Sequence, residues 1–297
     1  MRSFFKIAVG IATAGRRDIL AEAFRALSRQ TRLPDCLFVC PADENDCDAT
    51  QAAELPFPLL VIKGPRGLPA QRNAILDATR DFDIVVFFDD DFIAATSYIA
   101  ELELCFVAQP TVVAMSGWVI ADGVTGKGLD VAEARAILNS FDQSAVAQTL
   151  TDLYNAYGCN MAVRLTPVHA HGLRFDENLP LYGWLEDVDF SRRVAPYGRI
   201  VKNWRMKGVH LGNKRGRTSG VRLGYSQVAN PIYLLSKGTV SFNFAFIQLS
   251  RNLLANFAKV IRPEPWVDRH GRVFGNVLGF FDLVRGRLHP TRIFDLD

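Results

Sequence analysis

In the stretch IVVFFDDDF, residues 84–92, an apolar run passes straight into Asp89, Asp90 and Asp91. Side chains alternate across an extended chain, so Asp89 and Asp91 point one way and Asp90 the other. At the carboxyl end of a parallel strand, such a pair stands where open α/β sheets bind their ligands. Hard carboxylate oxygens suit Mg²⁺ or Mn²⁺ carrying substrate phosphates. A solvated turn or a helix N-cap uses the same residues for plain structural ends. Three like charges in a row repel, however, and call for compensation.

A second acidic group, Glu186, Asp187 and Asp189, lies in GWLEDVDFSRRV, residues 183–194. On a helix these carboxylates fall in the first turn, where the dipole favours them. Trp184, Leu185 and Phe190 surround them with apolar surface, the setting that turns a carboxylate into a base. His210 follows, 23 residues after Asp187. A lone histidine is usually structural; next to two acidic groups it becomes a candidate metal ligand.

The elements that must position these residues alternate between β-rich runs and helical patterns. Strands are expected at 6–12, 36–40, 58–63, 83–88, 111–120 and 159–164, and helices at 18–29, 69–80, 95–108 and 186–195. That alternation argues βαβ units, hence an α/β fold whose mostly parallel sheet carries helices on both faces. Residues 121–157 read as an irregular or helical insertion. HLGNKRGRTSGVRLG, residues 210–224, is glycine-rich and basic and reads as a mobile loop of the kind that closes over a site.

The 297 residues are 49% hydrophobic and 22% charged, which excludes disorder and a disulfide mini-fold. Five cysteines without a CxxC pair argue against structural zinc and for a reducing cytoplasm. The net charge of +3 hides an asymmetry, because residues 1–198 carry −9 and residues 199–297 carry +12. The N-terminal apolar stretch is too short for a secretory or membrane segment, and the apolar region 239–261 is interrupted by Asn243, Gln248, Arg251, Asn252 and Lys259. No GxGxxG follows the first strand, which disfavours a dinucleotide-binding dehydrogenase.

Taken in order, Thr13-Ala14-Gly15-Arg16, GLPAQRNAIL at 67–76, the three aspartates, NMAVR at 160–164, LRFDENLPLYGWLEDVDFSRRV at 173–194 and His210 resemble a family 2 glycosyltransferase over about 200 residues. The resemblance implies the GT-A nucleotide-sugar-binding fold and inverting transfer of a hexosyl or deoxyhexosyl group. The donor would be UDP-, dTDP- or GDP-linked, and the acceptor a hydroxyl on a saccharide or a lipid-linked saccharide. Position by position, Thr13, Arg16 and Asp43 would hold the nucleoside, and Arg72 and Asn73 would line the donor pocket. Asp89 and Asp91 resemble the DXD motif. Asp91 would be the direct ligand of Mn²⁺ or Mg²⁺, Asp89 or Asp90 would lie nearer the ribose and sugar, and His210 would add a metal contact. Asp187 is the implied base, with Glu186 second. PADEND at 41–46 departs from the family's acidic-Ser pattern at the nucleoside loop.

Lys214, Arg215 and Arg217 could fold over the diphosphate as cationic partners, or simply form a solvated basic loop. The expected division is a catalytic domain over 1–220 and a basic amphipathic helical extension over 221–297. In that extension a helix at 224–238 is interrupted at Pro231. In the next, Phe242, Phe246, Leu249, Leu253 and Phe257 recur at helical spacing. Such a face suits an anionic membrane, core packing or dimerisation. Similar tails occur in family members that build bacterial surface polysaccharides, so the expectation is a cytoplasmic enzyme peripheral to the inner face of the plasma membrane. A non-catalytic membrane- or nucleic-acid-binding module and a nucleotidyltransferase are the competing readings. The first strand is not followed by the glycine-rich phosphate loop of a nucleotidyltransferase, and the tail carries no nucleic-acid motif, so no nucleic-acid partner is expected.

Overall fold

The computed structural model describes residues 5–141, 150–215 and 218–296. The chain begins β1 (Ile7–Thr13), α1 (Arg17–Leu27), β2 (Cys36–Pro41), β3 (Leu59–Val61), α2 (Leu68–Ala78), β4 (Ile84–Asp89), β5 (Phe92–Ala94) and α3 (Tyr98–Ala108). It continues with β6 (Val112–Asp122), α4 (Val131–Ser140), β7 (Leu150–Asp152), β8 (Asn160–Arg164), α5 (Leu165–Ala170), α6 (Glu186–Val194) and β9 (Arg199–His210). Three long helices close it, α7 (Gly220–Lys237), α8 (Phe242–Lys259) and α9 (Arg269–Val284).

The strands form one sheet in the order β3-β2-β1-β4-β8-β6-β9-β5, with β7 paired to β9. As expected, β3, β2, β1 and β4 run parallel. Beyond β4 the expectation of a mostly parallel sheet gives way to a mixed one: β8 is antiparallel to both neighbours, β9 is parallel to β6 and antiparallel to β5 and β7.

Each face of the sheet is covered. Ile7, Val9 and Ile11 pack with Leu20, Phe24 and Leu27 of α1 and with Tyr98, Leu102 and Phe106 of α3. On the other face Ala8 and Phe87 pack with Ile75 and Leu76 of α2 and Phe190 and Val194 of α6. A side chain at Gly10 would meet Ile75 Cγ2 at 2.6 Å, so the bare backbone lets α2 lie close against β1. That approach carries Arg72 to the end of the sheet where β4 delivers its aspartates.

Five elements differ from the sequence reading: the short β5, β7 and α5, for which no strand or helix was expected, and two longer ones. The 12-residue β9 was not expected, since RIVKNWRMKGVH mixes charge and apolar residues without clean alternation. The helix expected to break at Pro231 runs through it, because α7 packs along α9 with Pro231 itself buried.

Candidate active site

Asp89 ends β4 and Asp91 lies in the turn to β5, so the two carboxylates converge while Asp90 turns away. His210, the last residue of β9, pairs in register with Phe92 and meets them. Its Nε2 lies 3.2 Å from Asp91 Oδ1 and 3.7 Å from Asp89 Oδ2, and its Nδ1 lies 3.1 Å from Asp122 Oδ1. One ligand atom from each of Asp89, Asp91 and His210 falls within 4.8 Å of the others. Two carboxylates and an imidazole nitrogen converging on one point, with their charge met by the histidine proton alone, fit Mn²⁺ or Mg²⁺, and Asp122 orients the histidine from behind. Burial works against a charge on His210, but Asp122, Asp91 and Asp89 outweigh it and raise its pKa to about 10. A metal ion taking this place would therefore displace a proton.

Asp90 is fully buried, accepts a hydrogen bond from Thr13 Oγ1 at 2.7 Å, and lies 3.0 Å from Arg16 Nη2. Arg16 Nη1 reaches Asp91 Oδ2 at 3.3 Å. The neighbouring aspartates are pushed apart: burial lifts the pKa of Asp90, while for Asp91 burial is outweighed by His210 and Arg16, which lower it.

Arg72 joins the two acidic groups that sequence separates by about 100 residues. Its guanidinium is buried, pairs with Glu186, lies 3.1 Å from Asp89 Oδ1 and donates to the Gly158 carbonyl at 2.7 Å. Asp187 lies on the other side of Gly158 and accepts from its N–H at 2.9 Å and from Val188 N–H at 2.8 Å. Burial raises the pKa of both Glu186 and Asp187 against the pull of Arg72. The loop before α6 enters this site through three left-handed residues, Leu181 (φ 57°), Gly183 (φ 63°) and Leu185 (φ 72°). For leucine that conformation costs roughly 1–2 kcal/mol per residue. It is held by Leu68 N–H donating to the Leu181 carbonyl and Asn230 donating to the Trp184 carbonyl.

No protein-family model and no curated protein sequence matches this chain. Solved structures do. TarS from S. aureus, residues 1–349 in complex with UDP-GlcNAc, superposes with a TM-score of 0.56 at 15% identity, over 95% of this chain and 84% of that one. Mannosyltransferase PcManGT from Pyrobaculum calidifontis, in complex with GDP-Man and Mn²⁺, gives 0.54 at 15% identity over 98% and 85%. GalNAc-T7 with UDP, GalNAc and Mn²⁺ gives 0.54 at 12% identity. The chain has the GT-A glycosyltransferase fold. It spans 46% of the longer TarS chain and 55% of the GalNAc-T7 chain.

Within this GT-A sheet the other expected residues are placed as follows. Asn73 does not reach the aspartates; its amide exchanges hydrogen bonds with the Phe175 backbone at 3.0 and 2.9 Å and donates to Glu177 at 2.7 Å, tying α2 to the segment before α6. Asp43 is exposed and caps a 3₁₀ turn over Glu44–Asp46. From that turn it is Asp46, unremarked in the sequence, that accepts from Gly15 N–H at 2.7 Å beside Arg16. After β9, Leu211 N–H donates to the Asp91 carbonyl at 2.9 Å and Asn213 N–H to Asp91 Oδ2 at 2.8 Å, so the segment is docked on the acidic group through its backbone. Lys214 bonds the Gly123 and Val124 carbonyls at 3.0 and 2.9 Å, and Arg215 pairs with Asp18 at 3.0 Å. Arg217 lies outside the described residues. Asp122 and Tyr157, hydrogen-bonded to each other at 2.9 Å, complete the His210 side and carry no sequence motif that would have marked them.

Proposed function

We propose that this chain is an inverting, metal-dependent glycosyltransferase of the family 2 kind, moving a hexosyl or deoxyhexosyl group from a nucleoside diphosphate to a hydroxyl acceptor. What carries the reading is one juxtaposition: Arg72 holds the Asp89/Asp91/His210 group and the Asp187/Glu186 group on opposite sides of one guanidinium. Separate carboxylates for donor and acceptor are what an inverting displacement requires. Asp89 and Asp91, as the DXD pair, and His210 would hold Mn²⁺ or Mg²⁺, which supplies neutralisation of the departing diphosphate's charge. Thr13, Arg16 and Asp43 face the nucleoside end, and Asp90 fixes Thr13 and Arg16 from below.

Asp187 receives the acceptor proton. It is only partly buried and its oxygens accept backbone N–H groups, whereas Glu186 is committed to Arg72. Its raised pKa makes it the stronger base of the site's accessible carboxylates. Lys214 and Arg215 exchange the Gly123 and Val124 carbonyls and Asp18 for the diphosphate once donor is bound. Residues 1–220 form the catalytic domain and 221–297 its basic helical extension, and the acceptor belongs to surface polysaccharide or glycolipid assembly on the cytoplasmic side.

Thermal unfolding with UDP, GDP, dTDP and CMP, each with and without Mn²⁺ or Mg²⁺, tests this directly. Ligand at 100 times its dissociation constant stabilises by about 2.7 kcal/mol. A metal-dependent shift with one nucleotide, absent from Asp91→Ala, is the expected result. A folded protein that shifts with none of them sinks the reading.

A further inference from the structure

The contact that α8 makes with α7 and α9 is polar, and the outer faces of α8 and α9 are apolar. Where α7, α8 and α9 meet, Asn256 donates to Gln227 at 2.7 Å and to Asn276 at 2.9 Å, Asn276 donates to the Gly224 carbonyl at 2.7 Å, and Arg269 donates to Asn256 at 2.8 Å. Asn256, Asn276 and Gln227 are all buried. The opposite sides of α8 and α9 carry the large apolar residues. On α8 these are Phe242, Phe246, Leu254 and Phe257, continued by Ile261, each at least half exposed and recurring at helical spacing. On α9 they are Phe274, Val277, Phe281 and Val284, exposed by 57, 52, 48 and 88%. A water-facing helix pair has the reverse pattern.

Charge selects the occupant. Arg251, Arg262, Arg285 and Arg287 are exposed around this face. Of the acidic residues between 242 and 288, Glu264 pairs with Lys259 and Arg269, and Asp282 is buried against Tyr225 and pairs with Arg287 and Arg292, which leaves Arg251, Arg262 and Arg285 on the rim. Only Asp268 is left exposed. A second copy of this chain would bring the same positive rim against itself. An anionic bilayer surface complements both the apolar arc and the basic rim. No described helix is long and apolar enough to cross a membrane, so the contact is one of lying on the surface.

We infer that the outward face of the α8–α9 hairpin docks on an anionic lipid surface, with the aromatic and aliphatic side chains at the acyl boundary and the arginines among the headgroups. The start of α8 stacks Phe244 on Tyr154, three residues before the Tyr157 that packs on His210, with ring centroids 4.9 Å apart. Docking itself is independent of the transferase reading; that the lipid surface delivers the acceptor to Asp187 rests on it.

The test is co-sedimentation of the full chain with phosphatidylglycerol-containing vesicles and with pure phosphatidylcholine vesicles, without nucleotide. Binding is expected to the anionic vesicles and to weaken with salt. Leu254→Ser/Phe257→Ser/Phe281→Ser is expected to lose at least about tenfold in affinity with unchanged circular dichroism. Arg251→Gln/Arg262→Gln/Arg285→Gln is expected to abolish the preference for anionic over neutral vesicles. Equal sedimentation of wild type and the serine variant overturns the inference. So does a wild-type dimer in light scattering that the serine variant dissociates, with no vesicle binding by either. The nucleotide-dependent thermal shift, measured on the same samples, reports separately whether the transferase reading holds.

Discussion

Two buried clusters of the same residue types sit on either side of α6 and differ in charge balance. In the joint, Lys237 of α7 reaches Asp176 at 2.6 Å and Asp189 at 2.8 Å, with Arg193 3.9 Å from Asp189. Two carboxylates meet two cations, and Tyr233 and Asn178 complete the hydrogen bonds of Asp176. At the site, Asp89, Asp90, Asp91, Glu186 and Asp187 share Arg16, Arg72 and His210. With Asp122 on the far nitrogen of His210, six carboxylates meet three cationic groups, and Glu186 Oε2 accepts no hydrogen bond. The first cluster is closed and holds α7 against α6; the second is left open to a further cation. Balance is what separates an ion cluster that builds a fold from one that awaits a ligand.

The comparison can be broken most sharply by removing the cation of the closed cluster. Lys237→Met leaves two buried carboxylates without their shared partner and is expected to cost about 3–5 kcal/mol in urea unfolding. A loss below about 1 kcal/mol would show that the joint does not hold α7. In the open cluster the larger effect falls on rate instead. Asp187→Asn is expected to lower kcat by about 10²- to 10⁴-fold while the nucleotide-dependent thermal shift stays as in wild type. Loss of nucleotide binding along with rate would make Asp187 a donor-site residue. Asp90→Asn keeps an acceptor for Thr13 and removes one of the crowded charges, so its unfolding free energy is expected within about 1 kcal/mol of wild type. A drop as large as that of Lys237→Met would erase the distinction between the clusters.

The smallest effect is in pH dependence. Burial opposes the charge of Asp176, but Lys237, Asn178 and Tyr233 outweigh it and hold its pKa below the ordinary value. A carboxyl lowered in the folded state contributes stability above its unfolded pKa of about 3.9 and loses it as pH falls through the folded value. Melting temperatures followed from pH 5 downward should therefore fall less steeply in Asp176→Asn than in wild type; parallel curves would remove Asp176 from the acid response.

The two clusters also differ in how far they could be read in advance. IVVFFDDDF and the EDVD turn announce themselves because charge ends an apolar run abruptly, and the alternation rule correctly separates Asp90 from Asp89 and Asp91. His210 was singled out, yet the strand that carries it was not, since β9 mixes Lys and Arg with apolar residues without clean alternation. Nothing marked Asp122, Asp46 or Lys237, each of which acts through a partner more than 30 residues away. Asn73 stood next to Arg72 in sequence but lies on another side of α2, where it ties down Phe175.

What the amino-acid sequence determined by itself was local: periodicity sets the strands and helices of residues 7–89, and runs of like charge mark where an apolar core cannot be the explanation. The tertiary structure alone decided that Arg72 stands between Asp89 and Glu186, residues 97 apart, and that α7 passes unbroken through Pro231. It also turned Asn256 and Asn276 inward and Phe242, Phe246, Phe257, Phe274 and Phe281 outward. The reason is the same in each case. A single helix or strand specifies which residues share a face, whereas which face is buried depends on what other elements bring to it.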